Sequence, residues 1–208
     1  MSLFLKTLKN CFILTIVLLV LCSIIYPLAL TGVSQLAFNY KANGSLIEVN
    51  GKIVGSELIG QDFTDSRFFR GRISSVNYNS YTAEDLKNDL YSGVASGSFN
   101  YGATNINLHD RVKNDIDEFL KAHSDVKKED IPADLLTASG SGLDPHISPS
   151  SAIIQIPAIS KATGLSESQL EKIVEDNTEH KIFGVYGEEV VNVLKANLDI
   201  AKLINIID

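Results

Sequence analysis

Serine, aspartate and histidine side chains cluster in one stretch of the chain, 131–149, where they could support catalysis. Ser139 or Ser141, with Asp144 and His146, supplies the residue types of a hydrolytic triad. The members of a triad normally converge from distant segments, and the motif Gly-x-Ser-x-Gly does not occur. One histidine and one aspartate two positions apart make at most half of a metal site. The residues alone therefore favour a structural or protein-contacting loop over an active site.

Two glycines of the same stretch, Gly140 and Gly142, raise the alternative of a phosphate-binding loop. The chain has no Gly-x-x-x-x-Gly-Lys-Ser/Thr motif, so a nucleotide site of that kind is not indicated. Glycine permits backbone conformations that other residues resist, whereas Pro145 and Pro149 restrict the chain. Ser148 is placed to cap a helix that begins at Pro149. The alternation predicts a pre-organised loop that sets the fold and docks a partner.

A second group of charged residues, Arg67, Arg70 and Arg72, lies among aromatic residues. These arginines could bind a phosphate or an acidic partner, or they could hold a loop through carbonyl and carboxylate contacts. The second interpretation is favoured because no glycine-rich loop opens a helix beside them. Three aromatic residues are predicted to anchor this arginine loop, residues 62–75, to the core: Phe63, Phe68 and Phe69.

The elements that must position these residues are partly visible in the sequence. The runs 46–49 and 52–54 flank Asn50-Gly51, which favours a type I′ turn and hence a β-hairpin. Apolar spacing predicts several helices farther along the chain. They cover 82–91, 108–122, 152–162 with a bend at Pro157, and a segment that begins at Ser166 with Gln169 completing a capping box. The segment 190–203 fits either a strand followed by a helix or a single helix.

A long apolar run near the N-terminus could span a membrane. The twenty residues 11–30 carry no charge, and the uncharged stretch extends from Asn10 to Tyr40. A helix of about 20 apolar residues spans the hydrocarbon core of a bilayer, so one transmembrane helix is predicted. A cleaved signal peptide is an alternative, but its apolar part is shorter and ends in a small-x-small site that is missing here. A lipoprotein signal ending at Cys22 is disfavoured because large residues precede that cysteine.

Charge predicts the orientation of this helix. Lys6 and Lys9 precede it with no acidic residue, and basic residues near a span are retained in the cytoplasm. Of the 18 Lys and Arg residues, 16 follow the first ten positions against 25 Asp and Glu, which leaves a net charge of −9. The predicted organisation is a cytoplasmic N-terminus at 1–10, a transmembrane helix at 11–30, a juxtamembrane connection at 31–44 and an extracytoplasmic domain at 45–208. Such an acidic domain is a poor candidate for nucleic-acid binding.

The positions of the cysteines exclude some kinds of chemistry in the domain. Both cysteines, Cys11 and Cys22, lie in the predicted span, so the domain forms no disulfide and offers no thiol nucleophile. About 165 residues remain after the anchor, which suits one domain with a proper core. The predicted fold class is α+β, with one N-terminal transmembrane helix followed by a single mixed α/β extracytoplasmic domain.

Five features, in order along essentially all 208 residues, resemble the C subunit of the Kdp potassium-transporting ATPase, the KdpC family. The single uncharged span is the first of them. The others are Gly55-Ser56 with 58–61, Phe69 with Gly71-Arg72 and Ser74, the unaltered run 135–149, and a closing motif of Gly187-Glu188, 191–194 and Asn197-Leu198. The fifteen-residue run LLTASGSGLDPHISP is the most specific.

The chain also departs from the family pattern, and several departures remove basic residues. They are Ile73 in place of a proline, Ser98, Phe99 and Ala103 in a glycine-rich motif, Ala158 and Thr163 in place of arginines, and Glu189-Val190 in place of Pro-Arg. A role that depends on those basic positions is therefore not expected in this chain.

The resemblance implies a role in a complex. In the family, a channel-like subunit carries potassium, a P-type ATPase subunit hydrolyses ATP, and the C subunit assembles with both in the plasma membrane. The family is also described as raising the ATP affinity of the catalytic subunit, so ATP is implied here by resemblance only. A domain outside the membrane does not meet cytoplasmic ATP, so a non-catalytic assembling and stabilising role is expected. The expected partners are those two subunits and the lipid bilayer, with no nucleic acid.

The residues that match the family motifs are the candidate partner-contact positions, and no catalytic residue or metal ligand is expected. They are Gly60, Gln61, Arg72, Ser139, Gly140, Ser141, Gly142, Asp144, His146, Ser148, Asn192 and Asn197. The rival hypothesis is a free-standing membrane-anchored enzyme or ligand-binding domain. It needs a self-contained pocket with perturbed titratable groups, and the sequence contains no complete set of them.

Overall fold

The computed structural model describes residues 2–89 and 93–207 and divides the chain into two compact units, Met1–Leu46 and Ile47–Asp208. One long helix makes up most of the first unit. Leu3–Ala37 is long and apolar enough to cross a membrane, with a mean hydropathy of 2.7, and none of its most apolar window is buried. The predicted span 11–30 lies inside this helix, which extends farther at both ends.

The long helix changes its winding next to a proline. Its parts are α1 (Ser2–Val20), a π-helical turn (Leu21–Ile25) and α2 (Tyr26–Ala37). The N–H of Tyr26 donates to the carbonyl of Leu21, which closes the wider turn directly before Pro27. Because proline has no N–H and crowds the preceding turn, a π-turn accommodates it without ending the helix. A short helix, α3 (Asn39–Ala42), follows α2.

A β-hairpin comes next, as the Asn-Gly dipeptide predicted. β1 (Leu46–Val49) pairs with β2 (Lys52–Ser56). Asn50 and Gly51 have φ values of 51° and 75°. Both residues are therefore left-handed, as a type I′ turn requires.

Seven further α-helices lie in the described part of the chain. They are α4 (Ala83–Lys87), α5 (Ile106–Ala122), α6 (Ala133–Leu136), α7 (Pro149–Ile153), α8 (Ile156–Thr163), α9 (Glu167–Asp176) and α10 (Val193–Leu203). The capping box predicted at Ser166 and Gln169 begins α9. A second capping box, formed by Thr82 and Asp85, begins α4. α4 ends at Lys87 and is therefore shorter than the predicted helix over 82–91, whose last residue, Tyr91, lies outside the described residues.

The prediction of a single bent helix over 152–162 is wrong. α7 ends at Ile153 and α8 begins at Ile156, with Pro157 in its first turn. Proline is tolerated where the first N–H groups of a helix have no partner and is disfavoured in the interior, so the chain starts a new helix there. Gly164 ends α8 with a φ of 78°.

A three-stranded antiparallel sheet joins distant parts of the second unit. Its order is β3 (His146–Ile147), β5 (Val190–Asn192) and β4 (Thr178–Glu179). The segment 190–203 is therefore a strand followed by α10, the first of the two forms that the sequence allowed. β3 and β4 were not predicted because two residues are too few for a periodic signal.

Helices of the second unit and this sheet enclose a hydrophobic core. Its buried residues are Phe69, Ile116, Phe119, Ile131, Leu135, Ile147, Ala152, Ile156, Ile159, Leu170, Ile173, Val174, Val191, Val193, Ala196 and Ile200. Phe69 is fully buried, and Phe63 and Phe68 pack against the core, so the aromatic residues anchor the arginine loop as predicted. The mixed α/β class with one long apolar N-terminal helix is confirmed, and the extracytoplasmic placement of the domain stays a prediction.

Candidate functional site

The sheet positions the histidine of the signature segment, residues 135–149. β3 and β5 pair so that His146 lies opposite Asn192. The N–H of Val193 also donates to the carbonyl of Pro145 over 3.0 Å. The closing motif of the chain therefore holds one end of the signature segment in place.

An ion pair links the signature segment to the arginine loop. Arg72 Nη1 lies 3.0 Å from Asp144 Oδ2, and each side chain is 25% exposed, so the pair is better shielded than a surface salt bridge. Arg72 Nη2 donates to Oγ1 of Thr137 over 3.3 Å. Asp144 Oδ1 accepts from the backbone N–H of His146 over 3.0 Å. Both charged groups are thus engaged with their own chain, which supports the structural interpretation of Arg72.

Tyr78 lies beside this ion pair. It belongs to a left-handed turn, Asn77–Asn79, whose three φ values are 48°, 49° and 54°. The Tyr78 hydroxyl donates to the carbonyl of Arg72 over 2.6 Å, and Ser74 Oγ accepts from the N–H of Tyr78 over 2.9 Å. Burial, followed by the nearby charge of Asp144, raises the pKa of Tyr78 to about 12. The phenol is therefore a neutral hydrogen-bond donor that fixes the arginine loop.

Close contacts account for two glycines of the candidate set. A Cβ on Gly60 would lie 2.4 Å from the carbonyl oxygen of Asp144. Gly142 has a φ of 67°, and a Cβ there would lie 2.8 Å from the carbonyl oxygen of Gly97. Gly140 has neither constraint, because no heavy atom lies within 4 Å of its Cβ position. The structure therefore requires glycine at position 142, whereas no such requirement is seen at Gly140.

The two loop serines serve the loop itself. Ser139 is 2% exposed, and its Oγ accepts from the N–H of Gly142 over 2.8 Å. Ser141 Oγ accepts from the N–H of Leu143 over 3.1 Å, and the carbonyl of Ser141 accepts from the N–H of Gly97 over 2.7 Å. Within residues 2–89 and 93–207, neither hydroxyl has a hydrogen bond to His146. Their geometry is that of residues that stabilise a loop.

His146 lies between two carboxylates. Its Nδ1 is 3.8 Å from Oδ1 of Asp144, and its Nε2 is 3.9 Å from Oε1 of Glu179. Both distances exceed the length of a hydrogen bond. Across the described residues, the buried Nε2 atom has no hydrogen-bond partner, and no group of three or more His, Cys, Asp or Glu could hold a metal ion.

Asp134, which is not among the predicted candidates, organises the far end of the signature segment. Its carboxylate accepts from the N–H and the Oγ of Ser148, over 2.8 and 3.1 Å, and from the Oγ of Ser151 over 2.6 Å. Burial acts to raise the pKa of Asp134, but the hydrogen bonds from the two serines outweigh it and hold the pKa below its ordinary value. Ser148 also caps α7, as predicted. A contact across 14 residues leaves no local sequence signal.

Buried amide side chains fasten the arginine loop to the core helices. Asn197 of α10 accepts from the N–H of Phe69 over 2.8 Å and donates to the carbonyl of the same residue over 2.9 Å. Gln155, which was also missed, accepts from the N–H of Arg70 over 2.8 Å and is 1% exposed. The backbone of the arginine loop is therefore clamped at two successive residues.

Two further amides hold the segment that follows β2. Asn192 Nδ2 donates to the carbonyl of Glu57 over 2.8 Å, and Gln61 Nε2 donates to the carbonyl of Val54 over 2.7 Å. The Asn192 side chain also caps α10 by accepting from the N–H of Lys195. Both candidate amides therefore bind backbone groups of their own chain.

The structure brings part of the candidate set together and separates the rest. Four candidates meet around the Arg72–Asp144 pair: Gly60, Arg72, Asp144 and His146. Gly142 lies against Val76 and Gly97 instead. Ser139 and Ser141 support the turn at Gly142, whereas Gly140 makes no close contact. The other four, Gln61, Ser148, Asn192 and Asn197, bind separate segments.

Two adjoining clefts of about 270 and 300 Å³ open elsewhere, around His123 and Ala158. Burial lowers the pKa of His123, whose Nδ1 contacts the carbonyl of Phe119 over 2.9 Å. Ala158 lines both clefts, and its methyl group brings no charge to either. None of the candidate residues lines either cleft.

Comparison with known proteins agrees with these motifs. The family model described as the c chain of the K⁺-transporting ATPase, KdpC, matches residues 8–202. The potassium-transporting ATPase KdpC subunit of Clostridioides difficile (strain 630) is 67% identical over 97% of this chain and 100% of its own length. Those of Clostridium kluyveri and Caldanaerobacter subterraneus subsp. tengcongensis are 62% and 45% identical, over 97% and 90% of this chain and 96% and 91% of their own. The chain therefore belongs to the KdpC family, a membrane subunit of the K⁺-transporting ATPase.

Proposed function

We propose that the chain is a non-catalytic, membrane-anchored subunit that assembles and stabilises the channel-like and P-type ATPase subunits of a potassium uptake complex. The observation that carries this proposal is the geometry of the signature segment, whose polar side chains bind other groups of the same chain. Asp144 pairs with Arg72, and Ser139 accepts from Gly142. A loop held in one shape loses less entropy when it docks than a flexible loop does.

The absence of nucleotide-hydrolysis motifs in the sequence supports the non-catalytic part of this proposal. The sequence contains no Walker lysine motif and no Asp-Lys-Thr-Gly-Thr phosphorylation motif. ATP hydrolysis is accordingly assigned to the P-type ATPase partner, and the enhanced ATP affinity that the family resemblance implies would reach that partner through assembly.

The proposed topology is a single pass through the plasma membrane, with the N-terminus in the cytoplasm and the domain outside. Lys6 and Lys9 precede the long apolar helix, and the chain beyond them is acidic. A domain on the outer face is separated from cytoplasmic ATP by the bilayer. This placement favours an assembling role over direct nucleotide binding.

Co-purification tests the function. The tagged chain is expressed with the other Kdp subunits, extracted in mild detergent, and its partners are identified by mass spectrometry. We expect both large subunits to be recovered, and potassium-stimulated ATPase activity to be lost from membranes that lack this chain. Recovery of the chain alone, together with full activity in its absence, would contradict the proposal.

Cysteine labelling in intact cells tests the topology. Cys11 and Cys22 are replaced by serine, and one cysteine is introduced at the exposed position Lys172 or, as the matched control, at Thr7, which leaves both orienting lysines in place. A membrane-impermeant maleimide should label Lys172→Cys and leave Thr7→Cys unmodified. The reverse pattern would place the domain in the cytoplasm.

A further inference from the structure

The most exposed apolar group of the second unit lies at the end of the β4–β5 connection. It comprises four large residues, Ile182, Phe183, Val185 and Tyr186, which are 65%, 92%, 73% and 69% exposed. We call residues 182–186 the apolar tip. Single exposed apolar residues are common on protein surfaces, whereas a group of four within five positions is typical of an interaction site.

Hydrogen bonds give the apolar tip a fixed shape. Ile182 and Tyr186 exchange two backbone hydrogen bonds of 2.8 and 3.0 Å, and the N–H of Val185 donates to the carbonyl of Ile182 over 3.2 Å. At its base, Lys181 lies 3.4 Å from Glu188. The tip is therefore pre-organised, which reduces the entropy lost on binding.

Phe183 occupies a backbone position that does not suit it. It has a φ of 55°, and the next residue, Gly184, has a φ of 71°. Two successive left-handed residues closed by the Val185–Ile182 bond form a type I′ turn, whose first central position favours Asn, Asp or Gly. Phe183 is 92% exposed, so packing within the chain does not compensate for this backbone strain. Such a local conflict is typical of a functional position.

Five acidic residues lie at the base of the apolar tip or in the groove beside it, and we call them the acidic collar: Glu179, Glu188 and Glu189 flank the tip along the chain, and Glu171 and Glu175 line the groove. An adjoining groove of about 340 Å³ has Ile153 and Val174 among its apolar lining and three of these glutamates at its edge. His180 and Glu189 line that groove and also pair with each other over 3.1 Å at the base of the tip. Tip, groove and collar thus form one face.

We infer that this face docks a protein partner of the transport complex through an apolar pocket bordered by lysine or arginine side chains. The inference rests on the proposed function and specifies the chemistry of the partner. The rigid aromatic tip fills the pocket, as buried aromatic anchors do at other interfaces, and the acidic collar complements a basic rim. A bilayer is a poorer fit because the same collar repels anionic headgroups.

Substitution of Phe183 tests the inference. Phe183→Asn removes the ring but suits a left-handed backbone, so the isolated full-length chain should unfold at the same temperature as wild type or higher. Its association with the other Kdp subunits, measured by titration in detergent, should weaken about 30-fold, as expected for an interface hot spot. Ile106→Asn, which makes the same kind of change at a residue of α5 that is 67% exposed, should bind as wild type does.

Three outcomes overturn the inference. The first is that Phe183→Asn associates as tightly as the wild type. In that case the proposed function stands as long as the wild-type chain assembles in the same assay. Failure of the wild-type chain to assemble would refute the proposed function separately. The second is equal weakening by Ile106→Asn. The third uses the lack of tryptophan in this chain: Phe183→Trp is reconstituted alone in vesicles of phosphatidylethanolamine and phosphatidylglycerol with brominated acyl chains. Quenching of its fluorescence there would assign the tip to the bilayer.

Discussion

Replacing Gly142 by alanine should strongly destabilise the domain, whereas the same change two residues earlier should not. Gly142 is buried and has a φ of 67°, and the new Cβ would lie 2.8 Å from the carbonyl oxygen of Gly97 and 2.7 Å from a methyl group of Val76. At Gly140 a Cβ meets no heavy atom within 4 Å. The two substitutions add the same atom to the same loop, so their difference isolates the backbone conformation and the contacts.

The expected magnitude combines two costs. A left-handed conformation costs a non-glycine residue about 1–2 kcal/mol, and forced overpacking typically costs about 1–3 kcal/mol. We therefore expect Gly142→Ala to lower the free energy of unfolding by about 2–5 kcal/mol. Gly140→Ala should leave it unchanged or raise it by up to about 1 kcal/mol, because alanine restricts the unfolded chain.

Urea unfolding of the full-length chain in detergent, followed by near-ultraviolet circular dichroism, measures this difference. The near-ultraviolet signal reports the packing of tyrosine and phenylalanine, whereas the far-ultraviolet signal would be dominated by the long N-terminal helix. Equal midpoints for Gly142→Ala and the wild type would refute the assignment of strain to Gly142. Equal losses for both variants would show that the loop tolerates no added methyl group and that the conformation is irrelevant.

Four further predictions concern the same domain. Asn197→Ala should lower the free energy of unfolding by about 3 kcal/mol in the urea assay, because both backbone groups of Phe69 lose a buried partner. Folding lowers the pKa of Asp134, so the stabilisation from its carboxylate should be present above about pH 4 and be lost as the pH falls through the pKa of the folded state. In Asp134→Asn the free energy of unfolding should therefore fall less steeply as the pH is lowered. Because the pKa of Tyr78 is raised from 10.0 to about 12, stability should be complete below pH 10 and fall as the pH rises toward 12, and Tyr78→Phe should remove that fall. The purified chain alone should release no phosphate from ATP in a coupled assay.

Each of these predictions has a contrary result. Wild-type stability of Asn197→Ala would mean that water replaces the amide at Phe69. If Asp134→Asn loses stability at low pH as steeply as the wild type, other carboxylates cause the acid sensitivity. If Tyr78→Phe still loses stability between pH 10 and 12, another group causes that loss. Phosphate release that remains with the chain through successive purification steps would contradict a non-catalytic role.

Local signals in the sequence predicted a large part of the fold. Asn50-Gly51 predicted the hairpin, and Ser166 with Gln169 predicted the start of α9, because caps and turns depend on a few neighbouring residues. The absence of charge over 11–30 located the long helix, although its ends lie farther out. The break between α7 and α8 was missed because apolar spacing continues across it.

The candidate site was less predictable because its contacts join distant residues. Arg72 and Asp144 are 72 positions apart, and nothing near either residue identifies the other as its partner. The family resemblance located both positions without relating them to each other. The same applies to Gln155, whose side chain binds the backbone of Arg70 across 85 positions.

The long-range clamps also constrain when the domain can fold during its synthesis. Asn197 holds Phe69 across 128 positions, and Asn192 holds Glu57 across 135. Asn192 and Asn197 leave the ribosome long after the residues that they hold, because nascent chains emerge at only about 5–20 residues per second. Phe69 in the arginine loop and Glu57, directly after β2, therefore remain without these hydrogen bonds for at least several seconds of synthesis. Such high contact order also slows folding itself, so ribosome-bound chains stalled before Asn192 should remain sensitive to protease, whereas the released chain should become resistant.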